Sequence, residues 1–264
     1  MPDVKLVDPA AEPDVVDTLS AASRIGIDTE FMREKTYFAE LALVQVATGT
    51  NSNSELLCID PLTIRERPEY REFWQAVMRP AWVLHSGRQD IEVIFQSADC
   101  MADDGFDTQV AAGPVGMQPQ LGYANLVAEL FDVELAKSHT RADWLQRPLS
   151  QAVLNYAAED VEYLLPAYEE LRTRLDKLGR LDWAIEDSAM LLDRSLYVVE
   201  PDSAISRVKG AGKLRGAARA AATALARWRE REALDRNRPR QWILRDPVLI
   251  ELATRRPGDA AALA

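Results

Sequence analysis

The chain's 264 residues are 47% hydrophobic and 28% charged, with only two cysteines. That suffices for one large domain, or for one of about 180 residues with a smaller second, and it excludes a disordered chain, a disulfide-built module and a collagen-like fibre. The formal charge of -11 conceals a split: residues 203–264 carry 14 Lys and Arg against 6 Asp and Glu, whereas residues 1–202 carry 17 against 36. An acidic body suits carboxylates that hold metal ions, and a basic end suits a polyanion; two ordinary solvated surfaces are the plainer alternative. No run reaches the roughly 18–20 apolar residues of a membrane span, and residues 1–8 carry acidic groups where a signal peptide is basic and then apolar. The expectation is a cytoplasmic protein, in a reducing compartment and away from membranes.

In chain order, an extended lead precedes a short helix over residues 12–22. Residues 25–31 alternate Ile25, Ile27, Thr29 and Phe31 with Gly26, Asp28 and Glu30, the two-residue period of a strand. Apolar stretches at 41–47 and 56–59, separated by a polar turn, complete a three-stranded meander. Helical spacing returns over 68–78, a short strand over 82–84, and helical spacing again over 89–95. Residues 106–110 begin as a strand and turn helical, and 126–131 lie in another amphipathic helix. Strands alternating with helices after a meander indicate an α/β fold with a mixed sheet covered by helices.

Ser150 is a natural N-cap for a long helix through Leu164, which Pro166 kinks or divides from residues 168–178. A helix over 183–192 precedes a linker over 198–206 that contains Pro201. Residues 207–216 read as a short helix or ordered turn, and the alanine-rich stretch 217–232 as a helix. The predicted division is therefore residues 1–198 and a small helical domain over 207–264.

Asp28-Thr29-Glu30 puts two carboxylates on one face of the first long strand. That is costly beside branched apolar residues unless a cation or a hydrogen-bond network compensates, and magnesium or manganese accepts such hard oxygen ligands. Taken alone, the pair reads as the outward polar face of an edge strand. Asp90 follows the strand 82–84 and the loop His85-Ser86-Gly87. Tyr156 and Asp160 share a helical face at i,i+4, so a carboxylate can bind metal while a phenol orients water; a packed tyrosine with a surface hydroxyl is the alternative. Cys58, Cys100, His85 and His139 have no zinc-site spacing, and Ser86 beside His85 lacks the oriented acid of a hydrolase triad.

In order along the chain, Ile27-Asp28-Thr29-Glu30-Phe31, His85-Ser86-Gly87-Arg88-Gln89-Asp90 and Tyr156-Ala157-Ala158-Glu159-Asp160-Val161 resemble the three motifs of the ribonuclease D branch of the DEDD 3′-to-5′ exonucleases, tyrosine subclass. The stretch 141–149 resembles the segment before the last motif, and the likeness spans residues 24–180. It implies a ribonuclease H-like mixed five-stranded sheet flanked by helices. It also implies two-metal hydrolysis of RNA from a free 3′ end with release of nucleoside 5′-monophosphates, in the maturation of tRNA or other structured RNA. By the same resemblance Asp28, Glu30 and Asp160 surround one Mg2+ or Mn2+, Asp28 and Asp90 the other, and Tyr156 aims the water.

Substrate contacts are expected from Thr29, Phe31, His85, Arg88, Lys137, Arg141 and Arg147. Phe31 equally suits a core position, and Arg147 could instead pin its loop to the domain. A DNA-directed exonuclease and an inactive RNA-binding scaffold are the competing readings, because metal carboxylates do not sense the 2′-hydroxyl. Residues 219–257 resemble the start of an HRDC domain, with Trp228 expected in its small core and Arg236, Arg238, Arg240 and Arg245 as an RNA patch. Such a module usually continues through further helices, so this one reads as abbreviated or truncated.

Overall fold

The computed structural model describes residues 4–50, 53–135, 142–259 and 261–262. It divides into two compact units, residues 1–32 with 40–197 and residues 33–39 with 198–264.

The first unit is an α/β layer structure. Its strands are β1 (Leu6–Val7), β2 (Arg24–Met32), β3 (Glu40–Thr50), β4 (Asn53–Ile59), β5 (Ala81–Leu84) and β6 (Gly105–Asp107). They form one mixed sheet in the order β1-β4-β3-β2-β5-β6. The meander β2-β3-β4 is antiparallel, and β1, β5 and β6 join in parallel. Six strands replace the expected five, because the extended lead contributes β1, whose two residues are too few to show alternation; Leu6 pairs with Cys58 and Val7 with Ile59.

Helices α1 (Asp14–Ala21), α2 (Glu69–Met78), α3 (Arg88–Ala98), α4 (Thr108–Val115), α5 (Tyr123–Phe131), α6 (Gln151–Glu162), α7 (Leu164–Lys177) and α8 (Leu181–Met190) complete the unit. Residues 106–110 do change from strand to helix, and Asp107 makes the switch by capping α4: its Oδ1 accepts from Gln109 N at 2.8 Å and Val110 N at 3.1 Å. Ser150 caps α6 through Val153 N. The break between α6 and α7 falls at Tyr163 rather than at Pro166. Pro166 occupies the first turn of α7, where a missing N–H costs no intrahelical bond.

Gly26 sets how closely α7 approaches the sheet. A Cβ there would stand 2.9 Å from Leu164 Cβ and 3.4 Å from Ala47 Cβ. By alternation Gly26, Asp28 and Glu30 share a face, so the helices α6 and α7 lie over the face that carries the two carboxylates.

In the second unit the expected linker is itself ordered, as a 3-10 helix over Pro201–Arg207, followed by another over Ala211–Lys213 and by α9 (Gly216–Asp235), α10 (Arg240–Ile243) and α11 (Asp246–Arg255). Its core is small: Ala204, Val208, Ala211, Ala222, Ala226, Leu249 and Ala253. Trp228 is 46% exposed rather than in that core. The buried stripe of α9 runs through Ala222, Ala226, Arg229, Glu230 and Ala233, and position 228 stands roughly 200° round the helix from Ala226.

Residues 33–39 belong to this unit because of a buried polar knot. Tyr37 Oη donates to Glu230 Oε1 at 2.6 Å, Arg240 Nε reaches Glu230 Oε2 at 2.6 Å, and Arg207 Nη2 reaches Oε1 at 3.2 Å. Asn237 Oδ1 accepts from the backbone of Tyr37 and Phe38. Among the described residues no helix is long and apolar enough to cross a membrane.

The Gly26 contact yields a direct expectation. Gly26→Ala should lower unfolding free energy by about 1–3 kcal/mol in denaturant titration, through overpacking against Leu164; unchanged stability would show that α7 yields freely.

Candidate active site

Asp28 and Glu30 point from β2 toward α6 and α7. Glu30 is opposite Leu43 and Phe31 opposite Leu41, so a bulge follows Glu30 immediately. Asp90 is the third residue of α3, buried, and held from β2 itself: Thr29 Oγ1 donates to Asp90 Oδ1 at 2.6 Å and Thr29 N at 3.2 Å. Asp160 and Tyr156 come from α6, which is tied to the same sheet face where the Cys58 thiol donates to Leu154 O at 3.6 Å.

The four carboxylates lie within one another's fields. Burial pushes Asp28 well above the ordinary carboxylate range, and the charges of Asp90, Asp160 and Glu30 push it further. Glu30 rises to about 8 through burial and then Asp160 and Asp90. Asp160 rises to about 7 through burial, Glu159 and Asp90. Asp90 is raised by burial and held partly down by its bonds to Thr29. Among the described residues, none of the causes that act most strongly on these four groups is a basic side chain.

An all-oxygen donor set of like charges fits a hard divalent cation. Among the described residues, no three acidic, histidine or thiol side chains stand close enough to enclose an ion by themselves. Magnesium and manganese take such hard oxygen ligands and retain waters of their own.

Tyr156 is raised to about 12 by burial and then by Asp160, Glu30 and Asp28, so its phenol is a proton donor at neutral pH. Tyr123 also belongs to this neighbourhood. Its hydroxyl accepts from Tyr163 N at 2.9 Å, and burial, with Asp160 and Asp28, holds its pKa high. Nothing in the spacing of the sequence singled it out.

Asp107 was likewise missed, although Asp-Thr before a helix is a recognisable capping signal. Besides capping α4, it holds the loop that starts α3: Oδ1 accepts from Ser86 N at 3.1 Å and Oδ2 from Gly87 N at 2.8 Å. Ser86 there is left-handed at φ 57, and a Cβ on Gly87 would lie 2.5 Å from Leu84 Cδ2.

Several expected substrate contacts have other partners. Thr29 is buried and engaged with Asp90. Burial lowers the pKa of His85, whose Nε2 meets Leu121 O at 3.0 Å and whose Nδ1 meets Thr108 Oγ1 at 2.9 Å. Arg147 forks onto Asp60, with Nε 2.5 Å from Oδ2 and Nη2 2.9 Å from Oδ1, and also reaches Ala42 O and Trp144 O; it pins its loop to the sheet. Phe31 is half-buried and Arg88 exposed in the first turn of α3. Lys137 and Arg141 lie outside the described residues.

In the second unit Arg240 is taken up by Glu230 and Tyr37, and Arg236 pairs with Glu232 at 2.6 Å. Arg238 stands 5.9 Å from the centre of the Trp242 ring, and Arg245 is exposed. The expected patch thus loses Arg240, which buried Glu230 draws inward, and keeps Arg236, Arg238 and Arg245 at the surface.

Comparison with known proteins agrees with this fold. A 3′-5′ exonuclease family model matches residues 6–176, and an HRDC domain model matches residues 218–264. The chain is 44% identical to ribonuclease D of Acidiphilium cryptum over 94% of its own length and 62% of the relative's. It is 39% identical to ribonuclease D of Xanthomonas oryzae over 95% and 68%. The crystal structure of Escherichia coli RNase D, described as an exoribonuclease involved in structured RNA processing, superposes with a TM-score of 0.88 at 31% identity, covering 98% of this chain and 68% of that one. The chain spans about two thirds of the length of the relatives it matches.

The raised carboxylates fix a pH dependence. Glu30 and Asp160 hold protons in the folded protein that the unfolded chain releases at ordinary carboxylate values, so this stabilisation is complete at low pH and lost as pH rises through about 7 and 8. Thermal unfolding in chelator should show the melting temperature falling between pH 5.5 and 8, with a shallower fall in Glu30→Gln. Parallel slopes in parent and variant would contradict the assigned shift.

Proposed function

Because the chain belongs to the ribonuclease D family of 3′-5′ exonucleases, we propose that it removes nucleotides from the free 3′ end of RNA as nucleoside 5′-monophosphates, in the maturation of tRNA precursors or other structured RNA in the cytoplasm. The observation that carries this reading is the gathering of Asp28, Glu30, Asp90 and Asp160 in one field beside the phenol of Tyr156. Asp28, Glu30 and Asp160 would hold one divalent ion and Asp28 with Asp90 a second. When bound, such ions supply the positive charge that activates water and stabilises the departing 3′ oxygen.

The chain's own groups do the rest. Tyr156, still protonated at neutral pH, hydrogen-bonds and orients the attacking water without becoming a covalent nucleophile. Thr29 keeps Asp90 turned toward Asp28, and Asp107 holds the loop from which α3 starts. Phe31, half-buried just past Glu30, offers a ring face on which a terminal base stacks with little sequence preference. Arg88 is suited to a phosphate near the site. Residues 1–198 would carry the hydrolysis. The basic region 207–264 would hold the RNA strand through Arg238 and Arg245, an electrostatic contribution that weakens with salt. The RNase D relatives, and the structured-RNA role stated for the Escherichia coli enzyme, favour RNA over DNA.

Matched 3′-labelled and 5′-labelled RNA and DNA strands, incubated with Mg2+, Mn2+ or chelator, test the reading. Stepwise release of mononucleotides from the RNA 3′ end is expected, with loss of at least about 100-fold in rate for Asp28→Asn or Asp160→Asn. Full turnover by both variants would defeat the catalytic assignment, preference for DNA would favour a DNA-directed exonuclease, and binding without turnover a scaffold. For the second unit, Arg238→Glu with Arg245→Glu should weaken RNA association at low salt and flatten its salt dependence. An unchanged salt slope would remove these arginines from the RNA-binding surface.

A further inference from the structure

Gln45 of β3 is fully buried, and neither Nε2 nor Oε1 has a hydrogen-bond partner. Buried amides are nearly always satisfied, because an orphaned donor or acceptor gives up water and gains nothing. The same strand shows what this depth otherwise accepts: Leu43, Val44 and Val46 are all fully buried and apolar. A polar side chain here needs a polar reason.

Register supplies one. Gln45 is directly opposite Asp28 on β2 and directly opposite Cys58 on β4. Opposed residues of antiparallel strands project to the same face with Cβ atoms about 4.5–5.5 Å apart, so the carboxamide is within one side-chain length of the Asp28 carboxylate. The Cys58 thiol already donates to Leu154 O. Being without exposure, Gln45 cannot itself touch RNA.

We propose that Gln45 is a positioning residue for Asp28: with a divalent cation in the site, its amide N–H, which has no partner in this structure, donates to one oxygen of the ionised carboxylate and fixes the side chain so that the other oxygen is presented to the ion. A carboxamide suits this task because it donates without carrying charge, whereas a lysine or arginine at the same place would compete with the cation. The inference rests on the reading that Asp28 is a metal ligand.

Calorimetric titration of Mn2+ into the full chain without RNA tests it, using Gln45→Met, which keeps the volume and removes the amide. Mn2+ binding should weaken by roughly 10–100-fold, the usual effect of losing a group that orients a ligand, and affinity within about twofold of the parent would overturn the proposal. The melting temperature of the metal-free variant should be unchanged or higher, since two unsatisfied buried atoms are gone. Asp28→Asn separates the two levels. If it too leaves Mn2+ affinity intact, the metal-site reading fails and this inference with it; if it alone weakens binding, only the role of Gln45 fails. Should Gln45→Met not fold, the side-chain amide resonance of Gln45 in the 15N-labelled parent decides: a shift on adding Mg2+ supports the bond to Asp28, and an unmoved resonance overturns it.

Discussion

Four carboxylates held in one field are the constraint around which the first unit is arranged. For Asp28, Glu30, Asp90 and Asp160 the largest disturbance is burial. For Asp28 and Glu30 the next is repulsion from Asp90 and Asp160. Both effects disfavour the charged form, and both are relieved by the same thing, a multivalent cation bound among the oxygens. A fold that served only its own stability would place apolar side chains here. Keeping the charges together is intelligible as preparation for ion binding and for the chemistry ions bring to phosphodiesters.

The scaffold maintains that arrangement with few parts. Alternation on β2 aims Asp28 and Glu30 at α6 and α7, and the absence of a side chain on Gly26 lets α7 come close. Thr29, pointing the other way, ties Asp90 on α3 to the same strand. Asp107 links the end of β6 to the loop before α3, so a capping residue of one helix steadies the start of another. Neighbouring residues of one strand thus organise groups brought from 60 and 130 positions away in the chain.

Much of this was legible in the amino-acid order, for identifiable reasons. Strand β2 showed because its two-residue period survives over residues 25–31, and α6 because Ser150 caps it and its apolar positions recur at helical spacing. Local period says nothing about partners in space, and there the reading fell short. His85 and Arg147 look like substrate contacts until Leu121, Thr108 and Asp60 are seen to occupy them. Trp228 looks like a core residue until the alanine stripe of α9 is seen to face the other way. Residues 33–39 carry no periodic signal, and contacts such as that of Tyr37 with Glu230, 193 positions on, tie them to the second unit. Strand β1 and Gln45 escaped for the same reason: the first is too short to have a period, and the second is explained only by what lies across the strand from it.

The central claim is that these carboxylates jointly bind a pair of divalent ions. Anomalous diffraction from crystals soaked in Mn2+ measures this most directly. The account predicts two manganese peaks about 4 Å apart, one among Asp28, Glu30 and Asp160 and the other between Asp28 and Asp90. Manganese absent from this cluster, or bound only at side chains elsewhere, would contradict it.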